Sequence, residues 1–228
     1  MKIKTIEFLN AFSDGKYEIK IFPDRTAWLK GRCNTIGASE AAAVIGKSPW
    51  MNEVELWERK RGKKVEEKYN ADMSRGQRSE AHIRELYSIE MGYDILDGTN
   101  IMLVSNEYPF MSCTLDGILL EHDKDWSEIP VIFEIKSSRK NDMWGDGTIP
   151  EHYLIQILHQ FAVTGWDKAV LRVRFFASPN YPTAVEKSYV FYRRDYENEI
   201  NALICREMQF WETNVKGGER PSVNMPSI

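Results

Sequence analysis

The chain has 228 residues, of which 43% are hydrophobic and 28% are charged. These proportions are typical of a soluble globular protein, so we exclude a disordered or fibrous chain, and no run of about 18 apolar residues predicts a membrane span. The 30 Lys and Arg residues against 34 Asp and Glu give a net charge of −4, so nucleic-acid binding would depend on a local basic patch.

Cysteine usage and the first residues bear on the cellular compartment. Cys33, Cys113 and Cys205 are odd in number and far apart, which argues against a disulfide framework and against a four-cysteine metal site. Glu7 precedes any apolar stretch, so we expect no secretory signal. A reducing cytoplasm is the expected setting.

Hydrophobic periodicity predicts alternating helices and strands. We expect helices over 24–32, 39–45, 53–60, 72–91, 151–163 and 196–213, and strands over 101–104, 111–120, 131–136, 169–177 and 185–192. Ser39 and Glu40 are the expected N-cap and first-turn acid of the second helix. Because we find no internal repeat or flexible linker, we expect one α/β domain over residues 1–228, with its core at about 72–194.

The charged residues are unevenly distributed. Residues 168–194 contain six basic side chains and one acidic one, whereas residues 121–128 contain four acidic side chains and one lysine. Two alternatives are open: two solvated surfaces of opposite sign, or a basic pair of strands beside a cleft that binds nucleic acid.

A carboxylate–carboxylate–lysine pattern lies on two predicted strands. Asp116 interrupts an apolar strand, and Glu134 and Lys136 follow on the next strand, beginning 18 residues later. Residues two apart on a strand face the same side, so adjacent strands would bring the three side chains together. Paired carboxylates without His or Cys favour Mg²⁺ or Mn²⁺, and the lysine would contact a phosphate or orient an attacking water.

The alternative for this pattern is structural. Glu134 and Lys136 would form an ordinary ion pair at a strand end, and Asp116 would turn the chain before Gly117. The order of the residues, on neighbouring predicted strands followed by a helix, favours a site for phosphodiester hydrolysis.

Three further side chains are candidates for the same site. Glu80 lies near the apolar stripe of the predicted helix 72–91 and would need a partner such as a bound cation, unless it is exposed and pairs with Arg84. Tyr153, Gln156 and Gln160 share one face of the following predicted helix. Tyr153 and Gln156 would contact a DNA backbone or support the metal ligands, or the three form a plain polar surface.

Four sequence blocks occur in an order that resembles a known family. The blocks are Trp28–Arg32 with Thr35–Glu40, Gly76 with Glu80, Ser112–Gly117 with Glu134-x-Lys136, and Tyr153-x-x-Gln156. Together they resemble the phage lambda-type exonucleases, grouped with the YqaJ-like viral recombinases, in the PD-(D/E)xK nuclease superfamily. The acid-x-lysine core is typical of the superfamily, and the Gly-Ala-Ser-Glu segment makes the resemblance specific to this family. Leu115 stands where the family commonly has proline.

The resemblance implies a fold and a set of site residues. The fold is α/β, with a restriction-endonuclease-like core of order α-β-β-β-α-β, extra N-terminal helices and a C-terminal helix. The implied metal ligands are Asp116, Glu134, the Ile135 carbonyl and Glu80. The implied catalytic residues are Asp116, Glu134, Lys136 and the supporting Gln156.

Arg32 and Ser39 are implied to bind the 5′-phosphate of the strand being degraded, with Tyr153 as a further DNA contact. From the residues alone, a serine at a helix N-terminus with an arginine nearby also makes an anion site. The alternative is that Ser39 simply caps the helix and Arg32 is solvated.

The activity implied is that of a metal-dependent 5′→3′ exonuclease, with Mg²⁺ as cofactor and Mn²⁺ as a substitute, which leaves 3′ overhangs on linear double-stranded DNA. The implied partners are DNA ends, a single-strand annealing protein and further copies of the chain in a ring, such as a trimer, with no membrane partner. The setting would be the cytoplasm of a bacterial host that carries a phage or prophage. Two alternatives stay open: a structure-specific or restriction-type endonuclease, and a non-catalytic module that binds DNA ends.

Overall fold

The secondary structure alternates between helices and strands along the whole chain. The structure, a computed structural model, describes residues 2–63, 71–138, 144–145, 147–177 and 183–222, and the side chains of all of these except residues 2 and 71–78. The α-helices in these ranges are α1 Lys2–Ala11, α2 Arg25–Arg32, α3 Ala41–Val44, α4 Glu53–Lys60, α5 Ala71–Met91, α6 Glu151–Thr164 and α7 Glu197–Gln209. The strands are β1 Tyr17–Ile21, β2 Ile36–Gly37, β3 Asp94–Leu96, β4 Ile101–Ser105, β5 Met111–Thr114, β6 Gly117–His122, β7 Glu128–Ser138, β8 Lys168–Phe175 and β9 Val185–Tyr192. Short 3₁₀ turns span Ala38–Glu40 and Arg193–Asp195, and a π-helical turn, Phe210–Lys216, continues α7.

Local sequence signals account for the ends of several helices. The Asp24 side chain accepts a hydrogen bond of 2.8 Å from the Ala27 amide and caps α2. Asn52 and Glu55 form a reciprocal capping box at the start of α4. Helix α6 ends at Gly165, whose φ of +68° lies in the left-handed region that favours glycine. None of the helices in the described ranges is long and apolar enough to cross a membrane.

The strands form two sheets. One has four strands in the order β1-β4-β5-β2, and the other has five in the order β3-β6-β7-β8-β9. Strand β7 is central in the second sheet, antiparallel to β6 and parallel to β8. Helix α6 lies between β7 and β8 in the chain and makes the crossover that a parallel pair requires.

Helices cover both faces of the five-stranded sheet. On one face, Ile83 and Tyr87 of α5 pack in an apolar cluster with Phe133 of β7. On the other face, Phe161 of α6 belongs to the larger core cluster with Ile132 of β7. Because strand residues alternate between faces, Glu134 and Lys136 point toward the α6 side.

The structure corrects two predictions about the strands. The predicted strand over 111–120 is two strands, β5 and β6, which belong to different sheets and separate at Leu115 and Asp116. The break is stable because side chains satisfy it: Asp116 Oδ2 accepts the Ile135 amide at 2.9 Å, and the Asp116 carbonyl accepts Arg84 Nη1 at 2.7 Å. The strand after α5 in the core is therefore β3, which the sequence did not predict, and not β4.

The helix predicted over 39–45 is also different. The chain forms a 3₁₀ turn, Ala38–Glu40, followed by α3, and Gly37 rather than Ser39 precedes the turn. The Glu40 side chain accepts the Gly37 amide at 2.8 Å, so a glutamate performs the capping that was expected of a serine.

Much of the basic stretch at 168–194 is neutralised within the fold. Lys168 donates to both carboxylate oxygens of Glu121, at 2.6 and 2.8 Å, which joins the basic and acidic stretches. Arg172 pairs with Glu90 and Glu186 at 2.6 and 2.8 Å. At Lys168 and Arg172 the basic charges are therefore paired with acids of β6, α5 and β9.

Candidate active site

The pairing of β6 with β7 brings the two predicted carboxylates together. Gly117 lies opposite Phe133 in this antiparallel pair, so one further step of the register sets Asp116 opposite Glu134. A side chain at Gly117 would come within 2.9 Å of Ile95 Cγ2. Glycine therefore allows β6 to lie close to Ile95 of β3 at the position next to Asp116.

Glu134 is the most heavily hydrogen-bonded side chain of the site and is 2% exposed. Its Oε1 accepts from Lys136 Nζ and from Gln156 Nε2, both at 2.5 Å, and its Oε2 accepts from Gln160 Nε2 at 2.6 Å. Gln160 is fully buried and was not among the predicted site residues. Its position four residues after Gln156, on the same helix face, is the signal that identifies it.

Lys136 carries the positive charge of the site. Its side chain is 20% exposed, and its Nζ lies 5.4 Å from the centroid of the Tyr153 ring, which belongs to α6. Burial alone would lower the pKa of Lys136, but the carboxylates of Glu134 and Asp116 raise it above the usual value. Lys136 therefore carries a positive charge beside these carboxylates at neutral pH.

The carboxylates outnumber the available positive charge. Burial and the neighbouring Glu134 raise the pKa of Asp116 well above its usual value. Burial also raises the pKa of Glu80, although Lys136 and Arg84 oppose the shift. The charges of Lys136 and Glu134 therefore act on the Glu80 carboxylate.

The predicted alternative for Glu80 was a surface pair with Arg84. Arg84 instead bonds the Asp116 carbonyl and pairs with Asp97 at 3.2 Å. Arg84 therefore holds the backbone of the site, and its charge is already shared with Asp97.

The chemistry of the donors fits a hard divalent cation. Among the residues that the structure describes, no three His, Cys, Asp or Glu side chains converge as a preformed metal centre. Mg²⁺ commonly takes only one or two carboxylates and completes its shell with water and phosphate oxygens, so Asp116 and Glu134 are compatible with this ion. The metal-binding roles of these residues, of Glu80 and of the Ile135 carbonyl remain predictions.

Arg32 and Ser39 lie together with Glu40 and Lys60 in a second cluster of charged and polar side chains, the Arg32 pocket. Arg32 Nη2 lies 3.2 Å from both Ser39 Oγ and Glu40 Oε1. Lys60 Nζ pairs with the other oxygen of Glu40 at 2.7 Å. Burial would raise the pKa of Glu40, but Arg32 and Lys60 lower it to about 2. Two cations thus face one carboxylate, and Arg32 is held in place, not solvated.

Trp28 connects the two pockets and was not predicted to belong to either. The Arg32 guanidinium lies over its ring at 4.8 Å, and its indole nitrogen donates to Thr114 Oγ1 at 3.4 Å. Thr114 is two residues before Asp116. The Arg32 pocket is therefore linked through Trp28 to the end of β5, two residues before Asp116 in the chain.

The layered α/β arrangement is that of a restriction-endonuclease-like fold, as predicted, and solved structures share it. A crystal structure of LHK-Exo in complex with dAMP matches with a TM-score of 0.61 and 20% identity, covering 85% of this chain and 95% of that one. The same protein is described elsewhere as an alkaline exonuclease from Laribacter hongkongensis, and that structure matches with a TM-score of 0.58. A phage related exonuclease from Haemophilus somnus 129PT matches with a TM-score of 0.54 and 12% identity, covering 81% of this chain and 96% of that one. At these identities the likeness establishes the fold alone.

The family model of the YqaJ-like viral recombinase domain matches residues 27–167, and the chain belongs to this family, as the sequence blocks indicated. The uncharacterized protein YqaJ of Bacillus subtilis (strain 168) is 26% identical over 212 residues, which are 88% of this chain. The match covers 59% of that relative, so the chain spans less than two thirds of its length.

Proposed function

We propose that the chain is a metal-dependent 5′→3′ exonuclease that degrades one strand of linear double-stranded DNA and leaves 3′ overhangs for recombination by strand annealing. The observation that supports the proposal is that two clusters with opposite surplus charge are linked through Trp28 and Thr114. Asp116 and Glu134 suit a cation, Arg32 suits a phosphate, and Trp28 with Thr114 joins them. The names of the structural neighbours, an alkaline exonuclease and a phage related exonuclease, agree with this activity.

The residues around Glu134 divide the chemical work. A bound Mg²⁺, or Mn²⁺ in its place, would neutralise charge on the scissile phosphate and favour deprotonation of an attacking water. Asp116, Glu134, Glu80 and the Ile135 carbonyl would hold the ion. Lys136 keeps its proton and offers its ammonium group to the phosphate oxygens.

The surrounding amides keep the carboxylate in one orientation. Gln156 and Gln160 bond opposite oxygens of Glu134, so neither oxygen can rotate away without losing a buried hydrogen bond. Tyr153 packs its ring against the Lys136 ammonium and would face the strand that is cut.

The Arg32 pocket supports an exonuclease over an endonuclease. A terminal phosphate carries up to one more negative charge than an internal diester, so a pocket with surplus positive charge favours an end. Arg32 and Ser39 supply donors to such a phosphate, and their fixed position would set the distance to the scissile bond.

The wider proposal concerns the protein in its setting. We propose residues 1–228 as a single nuclease domain with its core at about 72–194, assembled as a ring-shaped homo-oligomer such as a trimer. Its partners would be double-stranded DNA ends and a single-strand annealing protein, in the cytoplasm of a bacterial host that carries a phage or prophage.

The test is a degradation assay with separate labels on the 5′ and 3′ ends of a linear duplex, and a covalently closed circle of the same sequence. We expect early loss of the 5′ label with Mg²⁺ present and no cleavage of the circle. Cleavage of the circle would favour the endonuclease alternative. Binding of ends without cleavage in any metal would favour the non-catalytic module.

A further inference from the structure

Two tryptophans of the chain lie largely outside the core, and one of them borders the candidate active site. Trp50 is 67% exposed and Trp126 is 82% exposed, whereas Trp144 and Trp166 are each 6% exposed. An exposed indole forgoes a large hydrophobic gain, so its position relative to a functional site is informative. Trp126 lies in the hairpin that joins β6 to β7, at the opposite end of β6 from Asp116.

Trp50 belongs to a row of aromatic rings that begins at the catalytic lysine. Lys136 Nζ lies 5.4 Å from the Tyr153 ring, whose centroid is 6.2 Å from that of Trp50. The His152 ring lies 4.1 Å from Tyr153 and 4.7 Å from Trp50, nearly perpendicular to the indole at 82°. One ring therefore separates Lys136 from an indole that is mostly accessible.

The segment that carries Trp50 is held on both sides. Pro49 precedes Trp50, and the Trp50 backbone amide donates to Ser48 Oγ at 3.3 Å. Two residues later, Asn52 begins α4 with the reciprocal capping box to Glu55, at 2.8 and 2.9 Å. The backbone that carries the indole is therefore anchored before and after Trp50, which limits the conformational entropy that binding a flat ligand would cost.

We propose that Trp50, backed by His152 and Tyr153, is a stacking platform for a nucleobase of the strand whose phosphate lies at Lys136. The inference rests on the proposed nuclease function and adds to it a subsite for an unpaired base. Every base has an aromatic face, and exposed aromatic side chains beside a phosphate-binding site are the usual means of holding single-stranded nucleic acid. Successive stacked nucleotides rise by about 3.4 Å, so the ring distances correspond to a base within a few nucleotides of the scissile phosphate.

The test compares Trp50→Ala with the wild-type protein on linear duplexes that carry a single abasic site at each of the first four positions of the 5′-ended strand. On the intact duplex we expect kcat/KM of Trp50→Ala to fall about 10-fold, the scale of losing one stacked base. At one abasic position the two proteins should differ by less than about 2-fold, because the base that Trp50 contacts is already absent. Trp50→Phe should retain most of the wild-type rate, and Trp126→Ala is the matched control, with wild-type behaviour on every substrate.

Other outcomes overturn the inference in distinct ways. Equal rates for Trp50→Ala and wild type on the intact duplex, or an equal deficit on all abasic substrates, would exclude base stacking. A change in oligomer mass for Trp50→Ala, measured by light scattering, together with such a uniform deficit would assign Trp50 to an interface between copies. A wild-type protein that cuts none of the substrates would overturn the proposed function itself, and this inference with it.

Discussion

Two buried glutamates of this protein, Glu40 and Glu134, have lysines as partners, and the charges that surround the two pairs have opposite sign. Glu40 faces Lys60 and Arg32, so cations outnumber the carboxylate and lower its pKa to about 2. Glu134 faces Lys136, but Asp116 and Glu80 add further negative charge. Burial raises the pKa values of Asp116 and Glu80, and the neighbouring Glu134 raises them further. The same Glu–Lys motif therefore produces a surplus of positive charge in one pocket and of negative charge in the other.

The comparison shows that the charges around a Glu–Lys pair, and not the pair alone, determine whether an anion or a cation suits the site. In the Glu40 cluster the buried carboxylate is paired with Arg32 and Lys60 without any ligand. The remaining positive charge suits an anion. In the Glu134 cluster the pKa values of Asp116 and Glu80 are raised, so a further cation would favour their ionised forms. On this account the first pocket binds an end of DNA and the second cleaves it.

Removal of divalent metal should have the largest effect. Excess EDTA should abolish cleavage, Mg²⁺ or Mn²⁺ should restore it, and Ca²⁺ should support DNA binding with little turnover, because its looser shell holds the attacking water less firmly. Gel-shift and cleavage assays in parallel separate the two effects. Full activity in EDTA would show that the carboxylates around Glu134 do not need a metal for cleavage, and would contradict the prediction.

Glu40→Gln should be the most destabilising change in the Arg32 pocket. The substitution keeps the shape but leaves Lys60 and Arg32 without their carboxylate, at an expected cost of about 3 kcal/mol in the free energy of unfolding. Urea denaturation measures this loss. The control is Glu212→Gln, whose exposed pair with Lys216 should be worth about 0.3–0.5 kcal/mol. Similar losses for both variants would show that the Glu40 cluster has no special electrostatic role.

Lys136→Ala should separate chemistry from binding. We expect cleavage to slow by ~10²-fold or more, the scale of losing one preorganised electrostatic group, while duplex affinity is nearly unchanged because many contacts share it. Lys168→Ala is the matched control, since Lys168 also pairs with a glutamate, Glu121, in the same sheet. Near wild-type cleavage by Lys136→Ala would show that the pair with Glu134 is only structural.

Lowering the pH should remove the contribution of Glu40 to the free energy of unfolding. Its folded pKa of about 2 lies below its ordinary value of 4.5, so the stabilisation is complete above about pH 4.5 and is lost as pH falls toward 2. The difference in stability between wild type and Glu40→Gln should narrow by about 1 kcal/mol between pH 6 and pH 3.5. Urea titrations at both pH values measure it, and a constant difference would show that the pKa of Glu40 is not depressed.

The carboxylate pair was predictable because two short-range rules determine it. Alternation along a strand sets Glu134 and Lys136 on one face, and antiparallel pairing of neighbouring strands brings Asp116 opposite Glu134. The helices that carry Glu80, Tyr153 and Gln156 follow from periodicity in the same way.

The remaining features depend on contacts between distant parts of the chain. The bond from Trp28 to Thr114 joins residues 86 apart, and nothing local indicates it. The apolar run from Met111 to Leu120 reads as one strand, although β5 and β6 enter different sheets on either side of Asp116. Strand β2 has only two residues and exists because β5 lies beside it, so its own sequence carries little signal.

The most direct test of the account measures whether the two oppositely charged pockets act on one strand. Identical linear duplexes with 5′-phosphate or 5′-hydroxyl ends should be degraded by the wild-type protein and by Arg32→Ala in Mg²⁺, with labels that report each strand. We expect the wild type to degrade the phosphorylated duplex about 10-fold faster from its 5′ ends, because one charge-assisted contact is worth about 1.5–3 kcal/mol, and Arg32→Ala to cut both slowly and equally. Equal wild-type rates on the two duplexes, or loss of the 3′ label first, would contradict the account.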